Sequence, residues 1–352
     1  MIDSLHIKNF RGFRDLSLSG LRPINIVVGK NASGKTALLE AVRVGLAGTP
    51  QVLYQVNQSR MPGIPLQLGP SRDNFENMWN SDFYNLDSSQ PISFEFRDSS
   101  KRTAKLKIFY DAERAVTSIP ELPSAPPSNI APLIFERIDF AGKKSRLAAA
   151  LLAQGNLQFE QGSESGIVSE FFTSQATINA QQNAASFSQL SVNNRDREIV
   201  EAMKEEFSPL IEDLSVLSPY TVPSLYALVP AIKDKVPLSL LSSGINKLFS
   251  ILASMIVRGN GAVFIDEIDN SFHYDRLESI WKILHRLSKK YNTQVFASTH
   301  SKECLRALSK VIKNHEEDFA LLRAEHGENG SQITRIDGRF LESAIEHDFE
   351  VR

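Results

Sequence analysis

The chain has 352 residues, of which 42% are apolar and 23% are charged, and its formal net charge at pH 7 is −2. This composition suits a globular protein of one large domain or two modest ones, and it argues against a strongly basic surface, although a local basic groove stays open. No apolar run approaches the roughly 20 residues that span a bilayer, and charges interrupt the first residues, so we expect neither a membrane-embedded transporter nor a signal peptide. Cys304 is the only cysteine, which leaves no intrachain disulfide and favours the reducing cytoplasm.

The first 48 residues predict three short strands and the start of a helix. We expect the strands near 3–8, 14–18 and 24–28. The segment Asn-Phe-Arg-Gly-Phe-Arg joins the first two, and each of its arginines, Arg11 and Arg14, follows a phenylalanine. These arginines are either solvated residues of an edge strand or cations beside a bound anion, and the second interpretation is favoured only for Arg11.

A glycine-rich segment, Gly-Lys-Asn-Ala-Ser-Gly-Lys-Thr, follows the third strand and opens a helix. This is the spacing of a phosphate-binding loop, or Walker A motif, because the glycines let backbone N–H groups turn toward phosphate and the helix N-terminus adds positive potential. The side chain of Lys35 would reach the β- and γ-phosphates, and the hydroxyl of Thr36 would bind Mg²⁺. The expected nucleotide-binding residues of the loop are Gly29, Lys30, Asn31, Ala32, Ser33, Gly34, Lys35, Thr36 and Ala37.

The middle of the chain is less regular in pattern. Residues 49–90 are rich in Pro, Gly, Asn and Ser and predict irregular structure, whereas the alternation in 92–97 and 105–110 predicts a hairpin. A proline-rich loop is expected at 120–132. Two further segments, 148–153 and 199–203, have the composition of helices. Further strands are expected at 226–229 and 236–238, and those at 319–323 and 332–336 are expected to close the sheet.

Residues 241–245 read Leu-Ser-Ser-Gly-Ile and precede an amphipathic helix with apolar side chains at helical spacing. A serine-capped core helix would explain this pattern without any ligand. A second interpretation uses the positive N-terminus of the helix to aim Ser242 and Gly244 at an anion.

A four-residue apolar run at 262–265 ends in Asp266 and Glu267. A strand buried on both faces has this continuous pattern, and its carboxyl end is where open α/β sheets bind ligands. Asp266 is therefore expected to hold Mg²⁺, and Glu267 to polarise the attacking water. A similar run at 294–297 comes shortly before His300.

Together these segments resemble the ABC-type P-loop ATPases, and the N-terminal segment resembles the SMC, RecF and OLD branch. The resemblance implies that Ser242 and Gly244 form a signature segment which contacts the nucleotide of a second subunit. It implies that Asp269 lies in a D-loop, that His300 senses the γ-phosphate, and that Arg11 flanks the nucleotide. The signature departs from the usual Leu-Ser-Gly-Gly-Gln at two positions, Ser243 and Ile245.

The implied fold is α/β, a mixed P-loop ATPase sheet flanked by helices. The ATPase core would comprise residues 1–48 and 236–352, and residues 49–235 would form a β-hairpin region and an inserted helical arm or lobe. ATP and Mg²⁺ are the expected cofactors, and a head-to-tail homodimer would complete the ATP sites. The resemblance also implies a Q-loop glutamine between the phosphate loop and the signature. Gln55, Gln58 and Gln67 are candidates by their distance along the chain, and the sequence does not choose among them.

Two biological roles remain open. The first is a cytoplasmic ATPase of bacterial anti-phage defence whose dimerisation controls a separate effector, a nuclease or a toxin, because the chain has no segment resembling a TOPRIM nuclease. The second is a RecF- or SMC-like repair ATPase that binds DNA. Short basic segments at 143–146 and 195–197 leave DNA open as a partner. A non-hydrolysing scaffold is disfavoured because Lys35 and Glu267 are both present.

Overall fold

The computed structural model describes residues 1–61, 63, 65–69, 71–112, 130–161, 169–173, 180–219, 221–313 and 315–337. Within these ranges the helices are α1 (Lys35–Ala47), α2 (Pro50–Arg60), α3 (Arg72–Asn80), α4 (Ala180–Val192), α5 (Asp196–Phe207), α6 (Ser243–Val257), α7 (Leu277–Tyr291) and α8 (Lys302–Ile312). The strands are β1 (Ile2–Phe10), β2 (Phe13–Ser19), β3 (Ile24–Gly29), β4 (Ile92–Asp98), β5 (Thr103–Tyr110), β6 (Leu133–Ile138), β7 (Lys144–Leu151), β8 (Leu157–Phe159), β9 (Ser169–Phe172), β10 (Asp213–Leu217), β11 (Ser224–Leu228), β12 (Val236–Pro237), β13 (Ala262–Ile265), β14 (Gln294–Ser298), β15 (Phe319–Gly327) and β16 (Gly330–Asp337). No helix in these ranges is long and apolar enough to cross a membrane.

Thirteen of the described strands form one sheet in the order β8-β7-β6-β5-β4-β1-β2-β16-β15-β3-β14-β13-β9. The neighbours from β15 to β9 pair in parallel, and we call this group the parallel half. The strands from β8 to β2 pair antiparallel and form the antiparallel half. β16 joins the halves, because it pairs along β15 and meets β2 at one position, Gly330 opposite Phe13.

The parallel half is covered on both faces, as its continuous apolar sequence predicts. Ile24 and Ile26 of β3 belong to a core formed with the α5–α8 side, whereas Val27 belongs to a second core with α1 and the antiparallel half. Phe264 and Phe296 stack on the second side with ring centroids 5.4 Å apart. Strands buried in this way expose polar groups only at their ends.

The antiparallel half is covered on one face. Its inner side chains pack on α1, α2 and α3, and the pattern of β4 alternates between buried and more exposed residues. Gly45 lets α1 approach β4 closely, because a Cβ at this position would lie 2.5 Å from the Phe96 ring.

Most of the predicted strands and helices are confirmed, but three expectations are wrong. The segment 49–90 contains α2 and α3; α2 begins with Pro50 at a position that needs no N–H donor, and Ser71 caps α3. The segment 148–153 lies largely in a strand, β7, because its pairing with β6 overrides the helical propensity of the alanines. The strands β15 and β16 do not close the sheet but connect its halves. Most of the proline-rich segment lies outside the described residues.

A smaller unit stands beside the parallel half. It consists of the three-stranded sheet β10-β11-β12 with α4 and α5, and it packs on α6. The Ser250 hydroxyl donates to Asn183 Oδ1 at 2.8 Å, and the rings of Phe187 and Phe249 lie 6.3 Å apart. These contacts connect the smaller unit to the helix that carries the predicted signature.

Candidate functional site

The predicted phosphate loop connects β3 to α1 and needs its glycines for two physical reasons. Gly29 and Gly34 have positive φ values of 144° and 108°, which side chains rarely adopt. A Cβ at position 29 would also lie 2.2 Å from the carbonyl oxygen of Ala324, and one at position 34 would lie 2.7 Å from Ser331 Oγ. The loop is therefore tightly wrapped against β15 and β16, the strands that join the two halves.

Lys35 lies at the start of α1 and turns back over its own loop. Its Nζ donates to the carbonyl oxygens of Gly29 at 2.8 Å and Lys30 at 2.9 Å. Burial lowers the pKa of Lys35, and the nearby carboxylates of Asp266, Glu267 and Asp269 act in the opposite direction. The ammonium is thus held at the loop, where a phosphate would be its natural partner.

Asp266 and Thr36 converge at the carboxyl ends of neighbouring strands. The Thr36 hydroxyl donates to Asp266 Oδ2 at 3.0 Å, and the Ser298 hydroxyl donates to Asp266 Oδ1 at 2.5 Å. Asp266 and Ser298 are both buried. These four clustered oxygens, two from hydroxyls and two from a carboxylate, are of the kind that Mg²⁺ prefers, so the residues present fit that ion.

Glu267 follows directly and has a left-handed backbone conformation with φ 48°. Its N–H donates to Ser298 Oγ at 2.8 Å, so that one serine fixes both acidic residues. Thr299 donates a short hydrogen bond to Asp269, which lies two residues further along the same turn. The turn after β13 is therefore anchored to the end of β14 at two points.

Arg11 lies at the turn between β1 and β2 and belongs to a buried charge network. It forms an ion pair with Glu40 of α1, and its Nη2 donates to Asn57 at 2.8 Å and Asp82 at 3.1 Å. The carboxylates of Glu40 and Asp82 are fully buried. Burial acts to lower the pKa of Arg11, but the attraction of these two carboxylates outweighs it, so the pKa is raised. Arg60 binds the same Glu40 through two hydrogen bonds of 2.7 Å. Arg11 and Arg60 connect α1, α2 and the N-terminal turn beside the phosphate loop.

Ser242 caps the N-terminus of α6, since its Oγ accepts from the N–H of Ile245 at 3.1 Å. Gly244 is buried where α6 crosses the turn after β13, and a Cβ there would lie 2.4 Å from the carbonyl oxygen of Ser271. The glycine is thus needed for a contact within one chain, whatever else it contacts. His300 is exposed at the end of β14, just before the Ser301 cap of α8.

A cavity of about 480 Å³ lies in front of the phosphate loop. It is lined by Arg11, Gly12, Asn31, Ala32, Gly34, Lys35, Thr36, Ala37, Arg60, Asp266, Glu267 and Ser331. The Ser33 hydroxyl is buried beside it and has no hydrogen-bond partner among the described residues. Three cations and an oxygen cluster around one cavity, with an unpartnered hydroxyl in the adjoining loop, fit a nucleotide with its metal ion.

The structure brings together Lys35, Thr36, Asp266, Glu267 and Arg11 around this cavity. Among the described residues that line it, Ser242, Gly244, Asp269 and His300 do not appear. The three glutamines considered for the Q-loop do not line it either. The predicted site residues thus form one group at the phosphate loop and a second group around the turn after β13 and the start of α6.

Sequence reasoning did not assign roles to Ser298, Lys247, Glu40 or Arg60. Ser298 lies two residues before His300, and its position at the end of a buried strand is a usable signal. Glu40 is a charge flanked by the apolar residues Leu39 and Ala41 in the middle of a helix, a pattern that points to a buried ion pair. Within the described part of the chain, the Lys247 ammonium donates to two backbone carbonyls, and such acceptors leave no trace in a sequence.

The mixed sheet, the phosphate loop after β3 and the acidic pair after β13 define a P-loop ATPase of the ABC type. A family model described as "AAA domain, putative AbiEii toxin, Type IV TA system" matches residues 24–306, more than half of the chain, and the chain belongs to this family. It is similar to the ATP/GTP phosphatase of Helicobacter pylori, with 25% identity over 358 residues that cover 91% of this chain and 90% of the relative.

Two further comparisons concern the branch of the family. The DNA replication and repair protein RecF of Bacillus cytotoxicus is 44% identical over 43 residues, which cover 12% of each chain. A solved structure of an SmcHead bound to the C-winged helix domain of ScpA superposes with a TM-score of 0.50 and 14% identity, and covers 97% of this chain and 99% of that chain. The chain is an ATP-hydrolysing P-loop protein, and the fold and enzyme class expected from sequence are confirmed.

Proposed function

We propose that ATP and Mg²⁺ bind in the phosphate-loop cavity and that this chain supplies all but one part of the hydrolytic site. The observation that carries the proposal is the convergence of Lys35, Thr36, Asp266 and Glu267 on one cavity. Lys35 binds the β- and γ-phosphates, and Thr36 and Asp266 hold the metal ion, which neutralises phosphate charge when bound. Glu267 orients and polarises the attacking water. The loop residues 29–37 and Arg11 complete the nucleotide contacts.

The missing part comes from a second copy of the chain. Ser242 is exposed at the positive end of α6, and Gly244 follows two residues later in the first turn, yet neither lines the cavity of its own chain. We propose that ATP joins two copies head to tail, with Ser242 and Gly244 of one copy against the γ-phosphate bound by the other. Asp269 and His300 then lie at this junction. By symmetry such a pair holds two identical sites.

Gel filtration of Glu267→Gln tests the dimer, because slow hydrolysis preserves the ATP-bound state. We expect a dimer with ATP and Mg²⁺ and a monomer without nucleotide. The double variant Glu267→Gln with Ser242→Arg is the matched control, since it keeps the ATP cavity intact and obstructs the junction. A monomer of Glu267→Gln at saturating ATP would contradict the proposal.

We further propose that dimerisation controls a separate effector, a toxin or nuclease, in bacterial anti-phage defence. The family description, with its toxin of a type IV toxin–antitoxin system, supports this role. The local similarity to RecF supports the alternative, a repair ATPase that binds DNA. ATP turnover with and without double-stranded DNA separates the two: a several-fold rise with DNA favours repair, and no change favours a protein partner.

The sequence-based division into an ATPase core of residues 1–48 and 236–352 and a separate segment 49–235 needs one change, because β4 to β9 of that segment extend the sheet of the core. We assign as the output region only α4, α5 and the β10-β11-β12 sheet of that segment. The contacts of Asn183 and Phe187 with α6 support this assignment, because motion of α6 would reach α4 directly. Hydrogen exchange of 180–217 should slow when ATP is added to Glu267→Gln. Equal exchange rates with and without ATP would remove this region as the output.

A further inference from the structure

A buried lysine lies between the signature helix and the turn that carries the proposed base. Lys247 is on α6, and only 6% of its surface is exposed. Its Nζ donates to the carbonyl oxygen of Glu267 at 2.9 Å and to the carbonyl oxygen of Asn270 at 2.9 Å. The ammonium therefore sits inside the turn after β13 and binds it through backbone atoms, away from the phosphate-loop cavity.

This turn has an unfavourable backbone that needs outside support. Glu267 and Ser271 have φ values of 48° and 81°, in the left-handed region that residues with a Cβ avoid. The N–H of Glu267 is held by Ser298 Oγ, and its C=O is held by Lys247. Both peptide groups of the proposed base are thus fixed by side chains from other elements.

The same helix contacts the turn a second time. Gly244 lies three residues before Lys247, on the same face of α6, and packs directly on the carbonyl of Ser271. The Phe272 ring completes the enclosure, with Lys247 Nζ 5.7 Å from its centroid. Gly244 leaves room for the turn to pack on α6, and Lys247 binds the turn through hydrogen bonds.

The charge of Lys247 suits this place. Burial lowers its pKa to about 8, and the carboxylates of Asp269, Asp266 and Glu267 oppose that effect. The side chain is a cation at neutral pH and compensates the acidic cluster. If Lys247 only balanced the acidic cluster, its charge would be enough. To hold Glu267 in place, Lys247 also needs its two hydrogen bonds to the carbonyl oxygens of Glu267 and Asn270.

We propose that Lys247 is a positioning residue for ATP hydrolysis, which holds the backbone of Glu267 so that its carboxylate faces the phosphate-loop cavity. This inference rests on the proposed role of Glu267 as the base. Lys247 itself does not touch the nucleotide. Its removal should therefore slow hydrolysis without weakening ATP binding.

The test is a double-mutant cycle on the full chain with Lys247→Met and Glu267→Gln. For Lys247→Met we expect kcat to fall roughly 10- to 100-fold, the effect of a misplaced catalytic group, while the KM and Kd for ATP stay within about threefold. In the Glu267→Gln background the same substitution should cause no further loss, because both changes act through one carboxylate. Lys282→Met, on the exposed surface of α7, is the matched control and should keep wild-type kcat.

Each outcome has a definite consequence. Wild-type kcat in Lys247→Met, a parallel loss of ATP affinity, or full additivity with Glu267→Gln would overturn the proposal. Lys247→Arg keeps the charge and the N–H donors and should recover at least about a third of wild-type kcat; activity no better than that of the Met variant would also contradict it. If Lys247→Met fails to fold, Lys247→Gln is carried through the same cycle. Undiminished kcat in Glu267→Gln alone would instead refute the proposed base.

Discussion

In the parallel half of the sheet the central strands β3, β13 and β14 are buried on both faces, whereas in the antiparallel half every second residue of strands such as β4 faces outward. Polar groups of the parallel half therefore collect at the carboxyl ends of β3, β13 and β14, and there they contact one another. Charges of the antiparallel half spread over its outer face and pair with neighbours such as Lys105 and Glu95. A given charge should thus matter far more for chemistry in the first half than in the second.

The largest effect is expected at the end of β13. Glu267→Gln keeps size and polarity but removes the proposed base, and we expect kcat to fall by roughly 10² to 10⁴. ATP affinity should stay unchanged, because Lys35 and Thr36 remain. Glu317→Gln, at an exposed position before β15, is the matched control and should keep wild-type kcat. A steady-state assay that finds less than about a tenfold loss would assign the base elsewhere.

A smaller effect is expected at the end of β14. Ser298→Ala removes the hydrogen bond to Asp266 Oδ1 and the acceptor for the N–H of Glu267. We expect kcat to fall by about 10- to 100-fold through misplacement of both acidic residues, and the Mg²⁺ concentration for half-maximal rate to rise. Ser309→Ala, on the exposed side of α8, serves as the control. An unchanged Mg²⁺ dependence would show that Ser298 does not orient Asp266.

In the antiparallel half the corresponding weak point is packing. Gly45→Ala would place a Cβ 2.5 Å from the Phe96 ring and 3.0 Å from that of Phe94. Overpacking of this kind costs about 1–3 kcal/mol, and the better helix propensity of alanine returns about 1 kcal/mol. We expect a net loss of about 1 kcal/mol in the free energy of unfolding by urea titration. Gly259→Ala is the control, because its Cβ would meet only ordinary contacts. If Gly45→Ala and Gly259→Ala changed the free energy of unfolding equally, α1 and β4 would be able to move apart without cost.

The two halves also differed in how far sequence predicted them. The strands β3 and β13 are continuous apolar runs followed at once by a phosphate loop and by an acidic pair, so that position and chemistry agree in one segment. The β4–β5 hairpin was predicted by alternation alone. β7 was missed because Ala148, Ala149 and Ala150 favour a helix, and the strand is decided by a partner, β6, that lies outside any local window.

The candidate site divides in the same way. Lys35, Thr36 and Asp266 were expected together, because neighbouring parallel strands end at one edge, and the structure places them there. The network of Arg11 with Glu40 and Asp82 was not predictable, since it joins residues 71 positions apart through tertiary packing. The two carbonyl acceptors of Lys247 are backbone atoms, and every residue carries one.

The buried charge of Lys247 gives the parallel half a distinct pH dependence. With its pKa lowered to about 8 in the folded chain, against 10.5 ordinarily, the unfolded chain binds more protons at this site between these values. Stability from this group therefore rises with pH in that window, because the cost of the buried charge is relieved. In urea titrations from pH 7.5 to 10.5, the unfolding free energy of the wild type should rise relative to that of Lys247→Met. A difference independent of pH would place the Lys247 pKa near its ordinary value.

The smallest effect is expected on the outer face of the antiparallel half. Lys105 and Glu95 lie opposite each other on neighbouring strands, and Lys105 Nζ is 2.9 Å from Glu95 Oε2. Their side chains are 56% and 42% exposed. Exposed pairs contribute about 0–1 kcal/mol, so Lys105→Gln should change the free energy of unfolding by less than about 1 kcal/mol, and salt should erase even that. The same variant tests the repair alternative, because the cavity on this face has a volume of about 810 Å³ and its lining has more basic than acidic residues. The basic residues are Lys8, Lys105, Lys107, Arg137, Lys144 and Arg146, and the acidic ones are Glu95 and Glu136. If DNA stimulates turnover in the wild type and the stimulation falls in Lys105→Gln with stability unchanged, this face binds phosphate; if stimulation persists, these charges serve only to keep the outer face of the sheet hydrated.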